Sequence, residues 1–166
     1  MEKFEKKIKF KISNKQTFIE YSPLANNYLK TIINKIKLNN GGILIIDYAY
    51  FEKEMKNTLQ AVSKHKYCDV LKGFRNSDLT YNLNFHLIKK IIKKLGPCSC
   101  LSTTQNKFLT KLGILDRAEI LSKNMLFSEK ADIYFRIKRL IDESQMGYLF
   151  KVMFITNLKN KFKLGF

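Results

Sequence analysis

The chain has 166 residues, which is enough for one ordinary domain with a substantial core but few for a complete doubly wound enzyme. Its formal net charge of +17 would suit nucleic acid or a membrane surface, yet only four of its 31 basic residues are arginine. The excess of Lys, Asn and Ile is typical of an AT-biased coding sequence, and no apolar run reaches the ~18 residues that span a bilayer, so composition alone identifies neither a nucleic-acid-binding protein nor a membrane protein.

The N-terminal part of the chain predicts a weakly ordered segment followed by a helix. Apolar residues and lysines alternate loosely over residues 1–16, which favours an edge strand or a frayed tail; the apolar members are Phe4, Ile8, Phe10 and Ile12. We assign residues 1–16 to a poorly determined N-terminal segment and residues 17–166 to a single α/β domain. After a brief strand at Phe18 and Ile19, Ser22 is an N-cap and Pro23 begins a helix with apolar residues at helical spacing.

The strongest strand signal lies at residues 39–50, where two glycines precede four consecutive aliphatic residues and an Asp. A short apolar run bounded by turn residues predicts a strand that is buried on both faces of a parallel sheet. Asp47 then ends the strand at the carboxyl edge of the sheet, where open α/β sheets bind ligands. Asp47 and Tyr48 are therefore candidate functional residues, and the alternative is that Asp47 merely terminates the strand.

The apolar residues of the segment 64–84 follow neither a helical nor a strand periodicity, which predicts an ordered loop. Polar side chains on loops beyond a sheet edge commonly form sites, and this loop contains His65, Asp69, Asp78 and Thr80. Turn chemistry is the alternative, because Asn76-Ser77-Asp78 is a good turn sequence. The cysteines lack the spacing of a zinc or redox motif, so we expect reduced thiols and no metal site; they are Cys68, Cys98 and Cys100.

The C-terminal half predicts three helices and one strand. Residues 85–95 form an amphipathic helix that Gly96 ends, Thr104 caps a short helix that Gly113 ends, and Ser128 opens a longer helix. Residues 148–156 are the second strong strand. The order of elements is that of an α/β fold, but two or three strands are few for so many helices, which indicates that strands are missing on the N-terminal side.

Ten short stretches occur in the order typical of one enzyme family. They are Glu20-Tyr21-Ser22-Pro23, Gly41-Gly42 through Ile46-Asp47-Tyr48, Thr58-Leu59-Gln60-Ala61 with His65, Asp69-Val70-Leu71, Asp78-Leu79-Thr80, Asn84-Phe85, Thr104-Gln105 with Phe108-Leu109, Leu112-Gly113-Ile114, Met146-Gly147 with Phe150-Lys151-Val152, and Gly165-Phe166. On these stretches the chain resembles the C-terminal half of the MidA-like family of class I S-adenosylmethionine-dependent methyltransferases. The resemblance implies the C-terminal half of a Rossmann-like sheet, mixed and with an antiparallel final strand, together with helical insertions.

The resemblance also implies a function. The mitochondrial member of the family assists the assembly of respiratory complex I by methylating an arginine of a subunit. An arginine is a poor nucleophile until acidic groups orient its guanidinium beside the methyl donor. Asp47 and Asp78 would supply these carboxylates, and Tyr48 and His65 would shape the catalytic pocket. The substrate-binding candidates are Asp69, Thr80, Asn84, Phe85 and Gln105.

The chain departs from the family pattern in three ways. Ala49 stands where the family has Gly, and Asn84 stands where it has an Asp that could bind a guanidinium. The glycine-rich loop that cradles the cofactor has no counterpart among the seven glycines. We therefore expect S-adenosylmethionine to serve the complete family enzyme without binding this chain alone, and we expect a separate N-terminal methyltransferase half as partner, besides a protein substrate with a target arginine.

The alternative hypothesis is a basic nucleic-acid-binding module without enzymatic activity. Such a module would interleave aromatic residues with lysines on one exposed face, whereas most aromatic residues here fall on apolar stripes. Any nucleic-acid binding is expected to be weak and non-specific. The start of the chain lacks a long apolar segment, which argues against a secretory signal, and it contains acidic residues, which argues against a transit peptide. We expect a bacterial-type cytoplasmic location, with a mitochondrial location as the alternative.

Overall fold

The computed structural model describes residues 1–9, 11–13, 16–72 and 76–166. The chain divides into two compact units, of which the first consists of Met1–Lys35 and Ala49–Gly96 and the second of Ile36–Tyr48 and Pro97–Phe166. Phe10, which belongs to the apolar pattern of the N-terminal segment, lies outside the described residues.

The helices and strands follow one another along the chain in mixed order. They are α1 (Glu2–Ile8), α2 (Pro23–Asn39), β1 (Gly42–Tyr50), β2 (Gln60–Ser63), β3 (Lys66–Cys68), β4 (Asp78–Thr80), β5 (Leu83–Asn84), α3 (Phe85–Leu95), β6 (Cys98–Thr104), α4 (Gln105–Lys111), α5 (Ile114–Ser122), α6 (Phe127–Ile141), α7 (Met146–Leu149) and β7 (Phe150–Asn157). Helices and a mixed sheet confirm the predicted α/β class.

The N-terminal segment of the first unit begins with a helix, so the predicted edge strand is wrong. Phe4 and Ile8 are four residues apart, which places them on one face of α1. Ile8 and Ile12 pack with Met55 in a small buried cluster. The brief strand predicted at Phe18 is also wrong, since this part of the chain has no regular structure. The burial of these apolar side chains, rather than the alternation of apolar residues and lysines in the sequence, therefore determines the helical conformation of residues 2–8.

The predicted loop at residues 64–84 contains three short strands. The strands β3, β2 and β4 form an antiparallel sheet in that order, and β5 pairs in parallel with the last two residues of β1. Strands of two or three residues are too short to show a period in the sequence, so only their pairing partners reveal them.

The sheet of the second unit confirms the predicted pairing of the two strong strands. Residues 42–48 of β1 pair antiparallel with β7, which pairs antiparallel with β6 on its other side. The parallel orientation expected for β1 is therefore wrong over these residues and holds only for its last two, Ala49 and Tyr50. Burial on both faces is also wrong, because Leu44 and Ile46 are nearly half exposed. An apolar run predicts a strand, but it does not encode the direction of a partner about a hundred residues away.

The predicted helices are confirmed close to their expected ends. Ser22 Oγ accepts a hydrogen bond from the backbone N–H of Ala25 at the start of α2, and Thr104 Oγ1 caps α4 in the same way. The helix α6 begins one residue before Ser128. The sequence reasoning missed α5 and the strand β6, whose small polar residues and cysteines form no apolar run. It also missed α7, which contains Tyr148 and Leu149, so the second strong strand begins at Phe150 and not at residue 148.

Candidate functional site

Asp47 lies inside β1 and not at its end. The strand continues to Tyr50 because its last two residues pair with β5. The side chain of Asp47 is exposed, and its Oδ1 accepts a hydrogen bond of 2.8 Å from the backbone N–H of Tyr48. The predicted position at the end of the strand is therefore wrong, although the carboxylate is exposed.

The surroundings of Asp47 in the second unit include a buried lysine. Lys151 of β7 is the antiparallel partner of Asp47 on one side and of Thr104 on the other, so the three side chains share one face of the sheet. Lys151 is only 2% exposed, and its ammonium lies 3.6 Å from the centroid of the Tyr148 ring. Its Nζ also donates to the carbonyl of Tyr148. This face of the sheet thus carries both the exposed carboxylate of Asp47 and the buried side chain of Lys151.

Tyr48 points to the opposite face of the same sheet. Its ring lies 4.2 Å from that of Phe150, its cross-strand partner, and is tilted by 37°. Successive side chains of a strand alternate between faces, so Tyr48 and Asp47 do not line one surface. The structure therefore separates the two catalytic candidates that are adjacent in the sequence.

His65 and Asp69 of the first unit are turn residues. His65 follows Lys64 in the two-residue turn between β2 and β3, and both have positive φ, at 61° and 47°, as a type I′ hairpin requires. Oδ1 of Asp69 accepts hydrogen bonds from the backbone N–H groups of Leu71 at 2.8 Å and Lys72 at 3.4 Å. Both side chains are exposed. Local turn chemistry thus accounts for the position of each.

Asp78 and Thr80 lie on β4, at the opposite edge of this small sheet. Asp78 pairs with Val62 and Thr80 pairs with Gln60 of the central strand β2. Both are exposed and, being two residues apart, share one face. Because β2 lies between β3 and β4, two strand spacings of about 5 Å separate the backbones of the two edge strands.

Asn84 and Phe85 join β5 to α3 in the interior of the first unit. Asn84 is 7% exposed, and its Oδ1 caps α3 by accepting a hydrogen bond of 2.9 Å from the N–H of Leu87. Phe85 is completely buried and packs edge to face with Phe51 at 6.1 Å. In this structure, the predicted substrate-binding residue Asn84 caps α3, and the predicted substrate-binding residue Phe85 packs the first residue of α3 into the interior.

Gln105 likewise has a structural partner in the second unit. Its Nε2 donates a hydrogen bond of 2.9 Å to the carbonyl of Leu140, and Nδ2 of Asn106 donates to the carbonyl of Ile141. These carbonyls belong to the last turn of α6, whose C=O groups have no partner within the helix. The two amides therefore cap the C-terminus of α6.

Glu20 is a residue to which the sequence reasoning gave no role. Its carboxylate accepts hydrogen bonds from the N–H and Oγ1 of Thr58, both at 2.7 Å, and from the N–H of Leu59 at 2.8 Å. Thr58 Oγ1 in turn accepts from the N–H of Asn82 at 2.9 Å. Glu20 and Thr58 both belong to stretches that carry the family resemblance, a signal that could have drawn attention to the pair. The network connects three segments of the first unit.

His86 gives the stability of the first unit a predicted dependence on pH. Burial, followed by the charges of Lys90 and Lys53, lowers the pKa of His86 below its ordinary value of 6.5. Its Nε2 is buried and has no hydrogen-bond partner among the described residues. The unfolded chain therefore takes up a proton more readily than the folded chain, so stability is complete above pH 6.5 and falls as the pH drops below that value.

A His86→Gln variant tests this dependence. We expect urea denaturation at pH 7.5 and 5.5 to show a larger loss of stability for the original chain than for the variant, because the variant has no imidazole to protonate. A two-dimensional NMR titration of the imidazole should place its folded pKa below 6.5. Equal losses in the two proteins would contradict the prediction.

The described residues do not form a glycine cradle of the kind that holds S-adenosylmethionine. Such a cradle leaves space beside a glycine for the backbone to approach the ligand. A Cβ added at Gly42, Gly147 or Gly165 would instead meet atoms of the protein itself, from Phe154, Ile141 and Phe108 respectively. Gly41 is open, with nothing within 4 Å, but it stands next to the crowded Gly42. The three crowded glycines therefore leave no room for the cofactor beside their backbone.

Two further features limit the kinds of site in the described part of the chain. None of its helices combines the length and apolar composition needed to cross a membrane. Across the described residues, no three His, Cys, Asp or Glu side chains are grouped as ligands for a metal ion. None of the described cysteines forms a disulfide bond, and burial raises the pKa of the Cys98 thiol.

Curated proteins similar to this chain are methyltransferases by name. "Protein arginine methyltransferase NDUFAF7, mitochondrial" from Xenopus tropicalis is 30% identical over 135 residues, which are 80% of this chain and 31% of that protein. The Drosophila melanogaster homolog of the same name is 29% identical over 136 residues, covering 81% of this chain and 31% of that protein. The chain thus spans about a third of the length of the relatives it matches.

Solved structures share the fold. A COG1565 superfamily protein from Burkholderia thailandensis matches 87% of this chain and 40% of its own length, with a TM-score of 0.71 and 23% identity. A second member from the same organism, bound to S-adenosyl-homocysteine, matches 80% of this chain and 35% of its own, with a TM-score of 0.64 and 24% identity. These similarities support the Rossmann-like assignment.

The sequence profile of one family covers residues 1–104, more than half of the chain, and carries the description "Putative S-adenosyl-L-methionine-dependent methyltransferase". The matched part includes α1 to α3 and β1 to β6. The resemblance to MidA-like enzymes is thereby confirmed, and the chain belongs to this family of S-adenosyl-L-methionine-dependent methyltransferases.

Proposed function

We propose that this chain is the acceptor-side part of a protein-arginine methyltransferase linked to respiratory complex I assembly, and that it works together with a polypeptide that holds the methyl donor. The observation that carries the proposal is family membership combined with partial coverage: the relatives named as protein arginine methyltransferases are matched over 31% of their length. The chain alone is then inactive and does not bind S-adenosylmethionine.

The absence of a glycine cradle among the described residues supports the proposal that another polypeptide binds the methyl donor. The polypeptide that completes the fold supplies the binding site for the methyl donor, and this chain supplies polar groups for the protein substrate. The names of the relatives also favour the mitochondrial alternative over a cytoplasmic location.

Asp47 is the residue for which we propose a direct role. Its exposed carboxylate can accept hydrogen bonds from a guanidinium, and a carboxylate does so in bidentate fashion with defined orientation. The positive charge of the buried Lys151 lies on the same sheet face and would partly balance the negative charge of the carboxylate when the substrate binds. Asp78 and His65, on exposed positions of the first unit, remain candidates for further contacts with the substrate.

Reconstitution tests the proposed function. The chain is mixed with a polypeptide comprising the part of the Xenopus tropicalis relative that it does not match, and methyl transfer from radiolabelled S-adenosylmethionine to arginine-containing protein is measured. We expect transfer only when both are present, and calorimetry should show no saturable binding of S-adenosylmethionine to the chain alone. Micromolar binding by the chain alone, or no transfer by an assembled complex, would refute the proposal.

Within the reconstituted enzyme, we expect Asp47→Asn to lower kcat about a hundredfold, the order of magnitude for losing an orienting charge. The amide keeps the size of the side chain but cannot accept a guanidinium bidentately. Asp132→Asn is the control, because Asp132 is an exposed acid on α6 that forms a salt bridge with Arg136 of the same helix. Turnover that is equal in the two variants would reduce Asp47 to a structural residue.

A further inference from the structure

The strand β1 has one edge without a neighbouring strand over most of its length. From Gly42 to Tyr48 it pairs with β7 on one side only. In the part of the chain that the structure describes, the other side of β1 is paired just at Ala49 and Tyr50, with β5. Seven residues of strand, about 23 Å at the usual rise, therefore present backbone N–H and C=O groups that no strand satisfies.

The sequence of β1 is that of a central strand. Four consecutive aliphatic residues, with no charge or proline before Asp47, are typical of strands covered on both faces. Edge strands of native proteins carry charges, prolines or bulges that prevent pairing with other chains. The pairing with β7 runs through seven successive residues without a bulge. Residues 42–46 therefore have none of the features that protect an edge.

One face of β1 is also incompletely covered. Leu44, Ile46 and Tyr48 lie on the same face and are 46%, 47% and 41% exposed. Val152, Met153 and Ile155 of the neighbouring strand β7 are completely buried. The exposure is thus concentrated on β1, where an apolar face and an open edge occur together. We call residues 42–48, with these three side chains, the β1 edge.

We infer that the β1 edge is the docking surface for a β-strand of the polypeptide that completes the methyltransferase fold, an inference that rests on the proposed function. Strand addition satisfies the open backbone groups, and the apolar side chains of the added part cover the exposed face. The occupant follows from the relatives, in which about two thirds of the length lies outside the matched part. The solved structure with a TM-score of 0.71 likewise continues beyond the matched 40%.

Hydrogen exchange measured by NMR on the full chain tests the inference. In an antiparallel pair, alternate N–H groups point toward the partner strand, so in the free chain alternate amides of residues 42–48 should exchange slowly and the others rapidly. Addition of the unmatched part of the Xenopus tropicalis relative should slow the rapid amides at least tenfold. A complex in which these amides remain rapid, or the absence of a complex, would overturn the inference.

A pair of matched variants locates the contact. Leu44→Lys/Ile46→Lys should weaken the complex at least tenfold, because charges are placed where the partner covers the sheet. Ile120→Lys/Phe135→Lys adds the same charge at positions of α5 and α6 that are 74% and 73% exposed, and it should bind normally. Equal weakening by both variants would overturn the inference. Far-UV circular dichroism verifies folding, and the exchange measurement needs no variant.

The alternative occupant is a second copy of this chain. Sedimentation of the chain alone decides this point: a dimer whose rapid β1 amides become protected with increasing concentration would overturn the inference in favour of self-pairing. Methyl transfer is measured separately in the same mixtures. A complex with a protected β1 edge and no methyl transfer would refute the proposed function alone, whereas active complexes with an unprotected edge would refute only this inference.

Discussion

Gly147→Ala is expected to lower the free energy of unfolding by roughly 3–5 kcal/mol, the range of severe steric or packing defects. A Cβ at this position would lie 2.2 Å from the carbonyl oxygen of Ile141 and 2.7 Å from that of Asp142. These are backbone atoms at the end of α6, where Gln105 and Asn106 donate to the last carbonyls. The backbone cannot move away without breaking this helix cap.

Gly41→Ala is the matched control for Gly147→Ala. A Cβ at Gly41 has nothing within 4 Å, so we expect a change of less than about 0.5 kcal/mol, as for an ordinary surface substitution. Urea denaturation followed by far-UV circular dichroism gives both values. If the Gly147→Ala protein were as stable as the original chain, the prediction would be wrong, because the backbone at the end of α6 would then move away from the added Cβ without a loss of free energy of unfolding.

Glu20→Ala should have the second largest effect on stability, a loss of roughly 2–3 kcal/mol, because hydrogen bonds to a charged acceptor contribute more than neutral ones. The substitution leaves two backbone N–H groups and the hydroxyl of Thr58 without their acceptor. The N–H of Asn82, which depends on the same hydroxyl, is affected indirectly. The loss therefore affects the end of the small sheet where β2 begins and β4 ends, since Gln60 and Thr80 are paired there.

Two controls accompany Glu20→Ala. Glu20→Gln keeps one acceptor oxygen, so it should lie between the alanine variant and the original chain. Glu143→Ala removes an exposed acid and should change stability by less than about 0.5 kcal/mol. Denaturation midpoints of the three variants test this order. A Glu20→Ala chain no less stable than Glu143→Ala would show that water replaces the carboxylate fully.

The hydrogen bonds of Glu20 could not be predicted from the sequence. Its partner Thr58 lies 38 residues away, and no local pattern connects the two. Asp69 presents the opposite case, because its carboxylate binds N–H groups only two and three residues ahead. Turn sequences predict contacts of the second kind, since the groups involved are neighbours in the chain.

Asp47 illustrates a prediction that was partly right. The apolar run before it identified a strand, and the strand is present. The end of that strand is decided by β5, whose two residues extend the pairing to Tyr50 and place Asp47 inside β1. The sharing of a sheet face between Asp47 and Lys151 follows from the register with β7, which only the folded chain defines.

The amino-acid sequence by itself determined the family, the α/β class and the helices whose ends carry local signals, such as Ser22-Pro23 for α2 and Thr104 for α4. These signals act within one or two turns of backbone, so they are independent of the remaining fold. Tertiary structure alone decided the register between β1 and β7, the short strands β2 to β5 and the exposed edge of β1. Each of these depends on hydrogen bonds and burial between residues distant in the chain, and a strand's sequence specifies an apolar surface without specifying what covers it.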